Sequence, residues 1–336
     1  MRAFGITMLA AATTLVLSSC AAPSDGDGSG SDDGGGGAIT DVQIIVPAEP
    51  GGGWDQTGRA LAQVLTDENL VDSAPVTNIG GAGGTVGLAS LANEKDPNTL
   101  MVTGLVMVGA VETNAAQNRI EDTTAIARLT EEPLVVVVPE DSSYETLEDL
   151  VEDIVKTGQD VSVTGGSAGG ADHILAGLLL EEAGLSGAEI SESLNYIPNS
   201  GGGEAVALLL GNNASAGISG IGEFLPHIEE GTMRALAVSS EEPSELLPDV
   251  PTITDAGYDL VLTNWRGLLA PAEISDAERQ ALIELVTQAH DSDAWADELE
   301  TRGWSDAFLV GDEFTSYVEE NVAEVTDTLK NIGLVD

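Results

Sequence analysis

The chain is poor in the residues that build several common kinds of site. Its 336 residues include one cysteine, three histidines and only 11 basic side chains, against 57 acidic ones. One cysteine excludes a disulfide scaffold, and so few thiol and imidazole groups exclude a structural zinc module. A formal net charge of −46 excludes a protein that binds nucleic acid electrostatically, because phosphates repel such a surface.

Long apolar runs are also scarce, and the one at the start is too short to cross a bilayer as a helix. It covers residues 3–17 and ends in Leu17-Ser18-Ser19-Cys20, which resembles a bacterial lipobox. The resemblance implies a signal peptide over 1–19 and a lipid on the sulfur of Cys20. We therefore expect an extracytoplasmic lipoprotein on the outer face of the cell membrane. An ordinary secretory peptide with a chance cysteine is the alternative.

Residues 20–38 are predicted to hold the lipidated cysteine and a disordered linker. Glycine, serine and aspartate dominate this stretch, and such a composition cannot bury enough apolar area to fold. A flexible segment of about 17 residues spans about 20–25 Å by random-coil scaling. The linker therefore places the folded part, which begins at residue 39, just outside the membrane.

The folded part repeats a pattern of β-rich run, glycine-rich loop and helix. The β-rich runs cover 41–46, 75–79, 161–164 and 195–197, and the loops 47–54, 80–84, 165–170 and 200–203. Helical spacing of apolar residues follows over 55–65, 85–93, 171–183 and 204–210. Buried strands that alternate with helices predict an α/β fold with mostly parallel sheets.

The glycine loops predict a site for an anion. In parallel sheets ligands bind beyond the carboxyl ends of the strands, where helices begin. Glycine lets backbone N–H groups approach a ligand closely, and each helix N-terminus adds about half a positive charge. The alternative for any one loop is a tight strand-to-helix turn, but four such loops favour a ligand site built from backbone donors.

The loops do not match the common nucleotide fingerprints. Gln56, Val86 and Val206 stand where G-x-G-x-x-G requires its third glycine. None of the three lysines follows a glycine, so a phosphate-binding P-loop is absent from the sequence. The three histidines are far apart and form no H-E-x-x-H motif. We therefore expect no cofactor and no metal site.

One enzyme motif is present. Residues 165–169 read Gly-Gly-Ser-Ala-Gly, which matches the G-x-S-x-G nucleophile elbow between a strand and a helix. A triad would also need an acid and a later histidine, His227 or His290. No His-Gly-Gly segment lies upstream of Ser167, because the first histidine is His173. A serine hydrolase with Ser167 as nucleophile stays as an alternative of a different class.

Seven segments in one order resemble a known family. They cover residues 45–55, 78–85, 165–173, 196–204, 226–238, 250–257 and 264–271, nearly the whole folded chain. Together they resemble the substrate-binding proteins of tripartite tricarboxylate transporters, the TctC or Bug family. Gly80 stands where the family usually has proline, and Trp54 resembles the TctC-like branch.

The resemblance implies a bilobal, type II periplasmic-binding-protein-like fold without enzymatic activity. Two α/β lobes would close on a small di- or tricarboxylate, citrate-like, and a monomer would deliver it to a large and a small membrane subunit. The chain would cross between lobes twice, giving lobe 1 from 39–138 plus 262–336 and lobe 2 from 139–261. Helices after residue 275 would fold back onto lobe 1. A carboxylate receptor that feeds a sensor kinase is the alternative.

The predicted ligand-binding residues fall in two sets of backbone donors. The first lobe would offer Gly52, Gly53, Gly81, Ala82, Gly83 and Gly84. The second lobe would offer Ser167, Gly169, Gly170, Ser200, Gly201 and Gly202. Closure around the ligand would complete the set of donors and expel water.

Six side chains complete the prediction: Trp54, Asp55, Asn78, His173, Ser219 and Arg266. Trp54 covers the ligand or packs in the core, and Arg266 binds a distal carboxylate or forms a structural ion pair. Asp55 caps the first helix or holds a ligand hydroxyl or amine. His173 contacts the ligand or is a buried, hydrogen-bonded side chain. Ser219 lies at the end of a predicted strand over 214–218, and together with Glu223 it would form the rim of the site.

Overall fold

The structure is a computed structural model that describes residues 39–199 and 202–335. The predicted signal peptide, Cys20 and the linker to residue 38 lie outside the described residues, as do Ser200 and Gly201 of the predicted site. Within the described ranges no helix is long and apolar enough to cross a membrane.

The four predicted repeats of strand, loop and helix are present, among further strands and helices of the described residues. The strands are β1 Gln43–Val46, β2 Val76–Asn78, β3 Thr99–Gly104, β4 Thr124–Pro139, β5 Ser162–Gly165, β6 Asn195–Pro198, β7 Ala216–Gly220, β8 Met233–Val238, β9 Thr263–Ala270 and β10 Ser305–Val310. The helices are α1 Gly53–Asp67, α2 Thr85–Leu91, α3 Leu105–Thr113, α4 Leu147–Thr157, α5 Ala171–Glu182, α6 Gly187–Ser193, α7 Gly202–Leu210, α8 Ile221–Glu229, α9 Asp276–His290, α10 Asp293–Arg302 and α11 Gly311–Asn331. The predicted repeats are β1 and α1, β2 and α2, β5 and α5, and β6 and α7.

The strands form two parallel groups that antiparallel strands connect. β2, β1 and β3 are parallel neighbours, and so are β6, β5 and β7. β9 pairs antiparallel with β3 and with β4, and β4 pairs antiparallel with β7, β8 and β10. The expectation of mostly parallel sheets is therefore wrong for the middle of the molecule, because the segments that join the two groups enter the sheets as strands themselves.

The long strand β4 belongs to both groups. It pairs with β9 from Thr124 to Pro133 and with β7 from Leu134 onward. Successive side chains of a strand point to opposite faces, so β4 is covered on both sides. Val136 packs in the larger hydrophobic core, whereas Val135 and Val137 pack in a smaller core with helices α7 and α8.

The bilobal, periplasmic-binding-protein-like α/β fold is confirmed, whereas the lobe boundaries stay predictions. The change of partner along β4 favours a first crossing between Pro133 and Leu134, slightly earlier than the predicted boundary at 138. The last helix, α11, packs on β4 and α3. The residues that follow α11 contact helices beside the other group of strands, since Ile332 lies against Gly177 of α5 and Ser191 of α6 donates to the Gly333 carbonyl at 2.7 Å.

Candidate functional site

A cleft of about 410 Å³ lies where the glycine loops meet. The loops after β1, β2 and β5 contribute to its wall, together with residues of β4, β7 and β9. Both parallel groups of strands thus direct their carboxyl ends toward one space. This is the position in which α/β sheets bind ligands.

Two helices begin at the cleft with glycine caps. The N-cap of α1 is Gly52 and that of α5 is Gly170, both in extended conformation, and neither cap makes a side-chain hydrogen bond. Some other helices do have such caps: Thr146 caps α4 and Ser275 caps α9 through their side-chain oxygens. First-turn N–H groups have no acceptor within their own helix, so α1 and α5 present theirs to the cleft.

A short 3-10 turn, Ala82–Gly84, forms a third glycine-rich part of the wall. Gly81, Gly83 and Gly84 have φ angles of 129°, 62° and 93°, which L side chains rarely adopt. A Cβ on Gly84 would lie 2.7 Å from the Trp54 ring. The indole therefore packs behind the turn while it also lines the cleft, which combines the two roles predicted for Trp54.

The structure brings most of the predicted residues to this cleft. Those that line it are Gly52, Gly53, Trp54, Gly81, Ala82, Gly83, Gly84, Ser167, Gly170, Ser219 and Arg266. Those that are described but do not line it are Asp55, Asn78, Gly169 and His173.

Three of the predicted backbone donors are engaged within their own loops. Gly84 N–H donates to the Gly81 carbonyl at 3.0 Å, and Gly170 N–H to the Ser167 carbonyl at 2.9 Å. Gly169 N–H donates to Nδ1 of His173 at 3.1 Å. These three glycine amides already have acceptors within the protein, which disfavours them as the ligand donors that the sequence predicts.

Asp55 and Asn78 support the first loop from behind. Asp55 is the third residue of α1, so it is not the N-cap, but it accepts the Gly51 N–H at 2.9 Å. It also accepts hydrogen bonds from Nδ2 of Asn78 and Nε of Arg59, both at 2.9 Å. Burial raises the pKa of Asp55, but these hydrogen bonds bring it below its ordinary value. The ionised carboxylate therefore fixes the loop that carries Gly52.

His173 is a buried, hydrogen-bonded side chain, as one of its two interpretations held. Its ring stacks on Tyr196 with centroids 4.0 Å apart, and its Nδ1 is occupied by Gly169. Burial lowers the pKa of His173 to about 4. The ring is neutral at pH 7, and Nδ1 is not available to accept a proton from Ser167.

The inner wall of the cleft carries two acidic residues that the sequence does not single out, Glu132 of β4 and Asp172 of α5, which are only 8% and 7% exposed. Glu223 of α8, which the sequence places at the rim, lies beside them and is half-buried. Arg266 of β9 forms an ion pair with Glu132, which is the structural alternative considered for it. Burial raises the pKa of Glu132, and the Arg266 guanidinium opposes that rise.

Asp172 and Glu223 have fewer partners than Glu132. Asp172 accepts the Gly166 N–H at 2.6 Å, and Glu223 accepts the Ser219 hydroxyl. Burial raises the pKa of Asp172 to about 7, and the nearby carboxylates of Glu223 and Glu132 add to the rise. Glu132 could have indicated this wall from the sequence alone. It precedes a strongly apolar run in the same strand, and a buried acidic residue there needs a partner.

We predict that Asp172 and His173 have opposite effects on the pH dependence of stability. A lowered histidine pKa contributes stability that is lost as pH falls from 6.5 to about 4. A raised aspartate pKa contributes stability that is lost as pH rises from 3.8 to about 7. Because one pKa unit equals about 1.4 kcal/mol, the two effects nearly cancel between pH 4 and 6.5.

Asp172→Asn removes the contribution of Asp172 to the pH dependence of stability and leaves that of His173. Urea unfolding at several pH values should show the variant losing about 3 kcal/mol between pH 6.5 and 4, relative to the wild-type profile. His173→Gln serves as the matched variant and should change the slope in the opposite direction. Parallel profiles for all three proteins would contradict the two shifted pKa values.

The chain matches a protein family over most of its length. The family model described as "Tripartite tricarboxylate transporter family receptor", TctC, matches residues 58–334. A UPF0065 protein from the TAR-I ttuE-ttuC' intergenic region of Agrobacterium vitis is 32% identical over 254 residues, 74% of this chain and 70% of that protein. Protein BugT of Bordetella pertussis is 26% identical over 298 residues, 87% of this chain and 89% of that protein.

Solved structures share the fold. MatC from Rhodopseudomonas palustris, with bound malate, superposes with a TM-score of 0.73 at 22% identity, covering 87% of this chain and 99% of that one. Rpa4515 from R. palustris, with adipate, superposes with a TM-score of 0.77 at 20% identity, covering 88% and 97%. At these identities the similarity shows the fold alone.

Proposed function

Because this chain belongs to the TctC family of tripartite tricarboxylate transporter receptors, we propose that it captures a small di- or tricarboxylate in the cleft between its lobes. The family consists of extracytoplasmic solute-binding receptors and not of enzymes. The serine hydrolase alternative at Ser167 therefore falls.

The observation that carries the proposal is the convergence of three glycine-rich wall segments on one cleft. Helices α1 and α5 begin there without side-chain caps, and the turn at Ala82–Gly84 stands beside them. N–H groups at helix N-termini are suited to an anion. Malate and adipate, which MatC and Rpa4515 hold, are dicarboxylates of the size that such a cleft accepts.

The proposed contacts are backbone amides, which we assign to Gly52, Gly53, Gly81, Ala82, Gly83 and Ser167. A hydrogen bond to a charged partner contributes about 1.5–3 kcal/mol. Four or five such bonds, less the cost of ordering the ligand and the lobes, suffice for micromolar affinity, which corresponds to about 8 kcal/mol. The large negative charge of the distant surface is screened over about 8 Å at physiological salt.

A thermal-shift screen tests the ligand class. We expect di- and tricarboxylates to raise the melting temperature of the chain, because binding to the folded state alone stabilises it by mass action. Neutral sugars and organic cations without a carboxylate serve as controls and should leave the melting temperature unchanged. A shift with sugars and none with any carboxylate would reject the proposal.

Delivery to a large and a small membrane subunit is the second part of the proposal, and a receptor that feeds a sensor kinase is the alternative. The family description supports delivery. Genes for the two membrane subunits beside the gene for this chain would support transport. A neighbouring sensor-kinase gene, without carrier genes, would favour the alternative.

Lipid anchoring through Cys20 is the third part. We expect Cys20→Ser to release the protein from the membrane fraction, because a serine side chain cannot form the thioether to the lipid. The matched control is Ser19→Ala at the neighbouring position, which keeps the thiol. Retention of the Cys20→Ser protein in membranes would count against the anchor.

A further inference from the structure

The cleft is acidic for a site that takes an anion. Among the described residues that line it are five acidic side chains and one basic one, Arg266. Glu49 and Glu204 are exposed at the rim, whereas Glu132, Asp172 and Glu223 lie further inside. A carboxylate ligand held by backbone amides therefore shares this cleft with protein carboxylates.

Arg266 neutralises only one of the three inner carboxylates. It pairs with Glu132, while Asp172 and Glu223 accept hydrogen bonds from an uncharged amide and an uncharged hydroxyl. A carboxylate can accept about four hydrogen bonds. Asp172 and Glu223 therefore keep acceptor capacity inside the cleft, and a cation bound beside Asp172 would favour the ionised form of that carboxyl, whose pKa lies at about 7.

A buried side-chain amide oxygen on this wall has no hydrogen-bond partner among the described residues. Asn264 of β9 is 8% exposed and lines the cleft, and its Oδ1 has no hydrogen-bond partner among the described residues. Its amide hydrogen-bonds the Glu132 carboxylate, so the carbonyl end is the one left over. A buried acceptor without a donor is costly, and a bound ligand that brings N–H groups relieves that cost.

The acceptors do not form a metal site. No group of three or more His, Cys, Asp or Glu side chains within residues 39–199 and 202–335 is placed to hold a metal ion. The cation that suits this wall is therefore an organic one with several N–H donors. An ammonium group has three donors and a full positive charge.

We infer that the ligand is an amino carboxylate, whose carboxylate binds the glycine amides and whose ammonium group faces Asp172, Glu223 and Asn264. This rests on the proposed function and narrows its substrate class. A plain dicarboxylate would bring its second negative charge toward Asp172 and Glu223, whereas an amino carboxylate brings opposite charge there. Inside a cleft that closes, such differences are screened less than on a surface.

Calorimetric titration with matched pairs of probes tests the inference. The pairs are succinate with aspartate, glutarate with glutamate, and butyrate with 4-aminobutyrate, which differ by an ammonium group. We expect the amino member of at least one pair to bind at least tenfold more tightly at pH 7. Equal or weaker binding of every amino member, with a plain dicarboxylate bound, overturns the inference and leaves the proposed function standing.

Variants of the inner carboxylates test whether they cause the preference for the amino member of a pair. Glu223→Gln and Asp172→Asn should each reduce the ratio of the two affinities at least fivefold, because they remove charge while keeping an acceptor for Ser219 and Gly166. Glu229→Gln, at the exposed end of the same helix as Glu223 and not among the residues that line the cleft, is the matched control and should leave the ratio within twofold. Melting curves identify a variant that fails to fold, and the half-buried Glu223 is the safer of the two.

The remaining outcomes are also decisive. If both Glu223→Gln and Asp172→Asn still prefer the amino member as strongly as the wild type does, the ammonium group does not bind at this wall. No binding of any carboxylate, amino or plain, rejects the proposed function itself and the inference with it.

Discussion

Glu132→Ala is expected to destabilise the folded chain by about 3–5 kcal/mol, because it leaves a buried guanidinium without its counter-charge. Arg266 is only 3% exposed, and its Nε and Nη1 already lack hydrogen-bond partners among the described residues. Its remaining support is the Glu132 carboxylate and a cation–π contact with Trp304, 5.3 Å from the ring centroid. Chemical unfolding of the purified variant measures the loss directly.

Two controls separate the buried charge from other effects of the substitution. Glu273→Ala breaks the exposed pair with Lys95 and should change stability by less than about 1 kcal/mol. The double variant Glu132→Leu with Arg266→Met removes both charges and should recover most of the loss, since apolar replacement of a buried pair is often neutral. A loss below about 1 kcal/mol for Glu132→Ala would mean that Arg266 does not depend on this carboxylate.

The glycine loops of the site could be predicted from sequence because their signal is local. A strand, a glycine run and a helix follow one another within about twenty residues, and the fold places every such junction at the carboxyl edge of a sheet. The prediction therefore located Gly52, Gly53 and Ser167 at the cleft without any knowledge of which strands are neighbours. It misjudged individual amides, because the bond from Gly169 to His173 depends on a side-chain orientation.

The acidic wall could not be predicted in the same way. Glu132 and Arg266 are 134 residues apart and meet because β4 and β9 are neighbours in the sheet. Asp172 is equally acceptable as an acidic residue in the first turn of any helix, which conceals its place at the cleft. The position of β4 could not be predicted either. Its apolar run over 134–138 indicates a buried strand, but it does not indicate that this strand joins both groups of strands.

Gly109→Ala is expected to weaken ligand binding at least tenfold. A Cβ at Gly109, in helix α3, would overlap the carbonyl of Gly169 in the loop before α5. The neighbouring contact is also close, since Thr113 donates to the Ala168 carbonyl at 3.4 Å. If the predicted lobe ranges hold, α3 and this loop belong to different lobes, so the added methyl group keeps them apart. The apparent affinity then falls with the fraction of molecules that can close.

Titration with the best carboxylate from the screen, together with small-angle scattering, measures affinity and opening at once. Gly222→Ala in α8 is the matched control, because the nearest atom to its added Cβ lies at an ordinary 3.8 Å. It should leave affinity within twofold, whereas Gly109→Ala should also give a larger radius of gyration in the presence of ligand. If Gly109→Ala instead lowers the unfolding free energy with affinity unchanged, the contact lies within one rigid body, and the lobe ranges 39–138 and 139–261 are wrong.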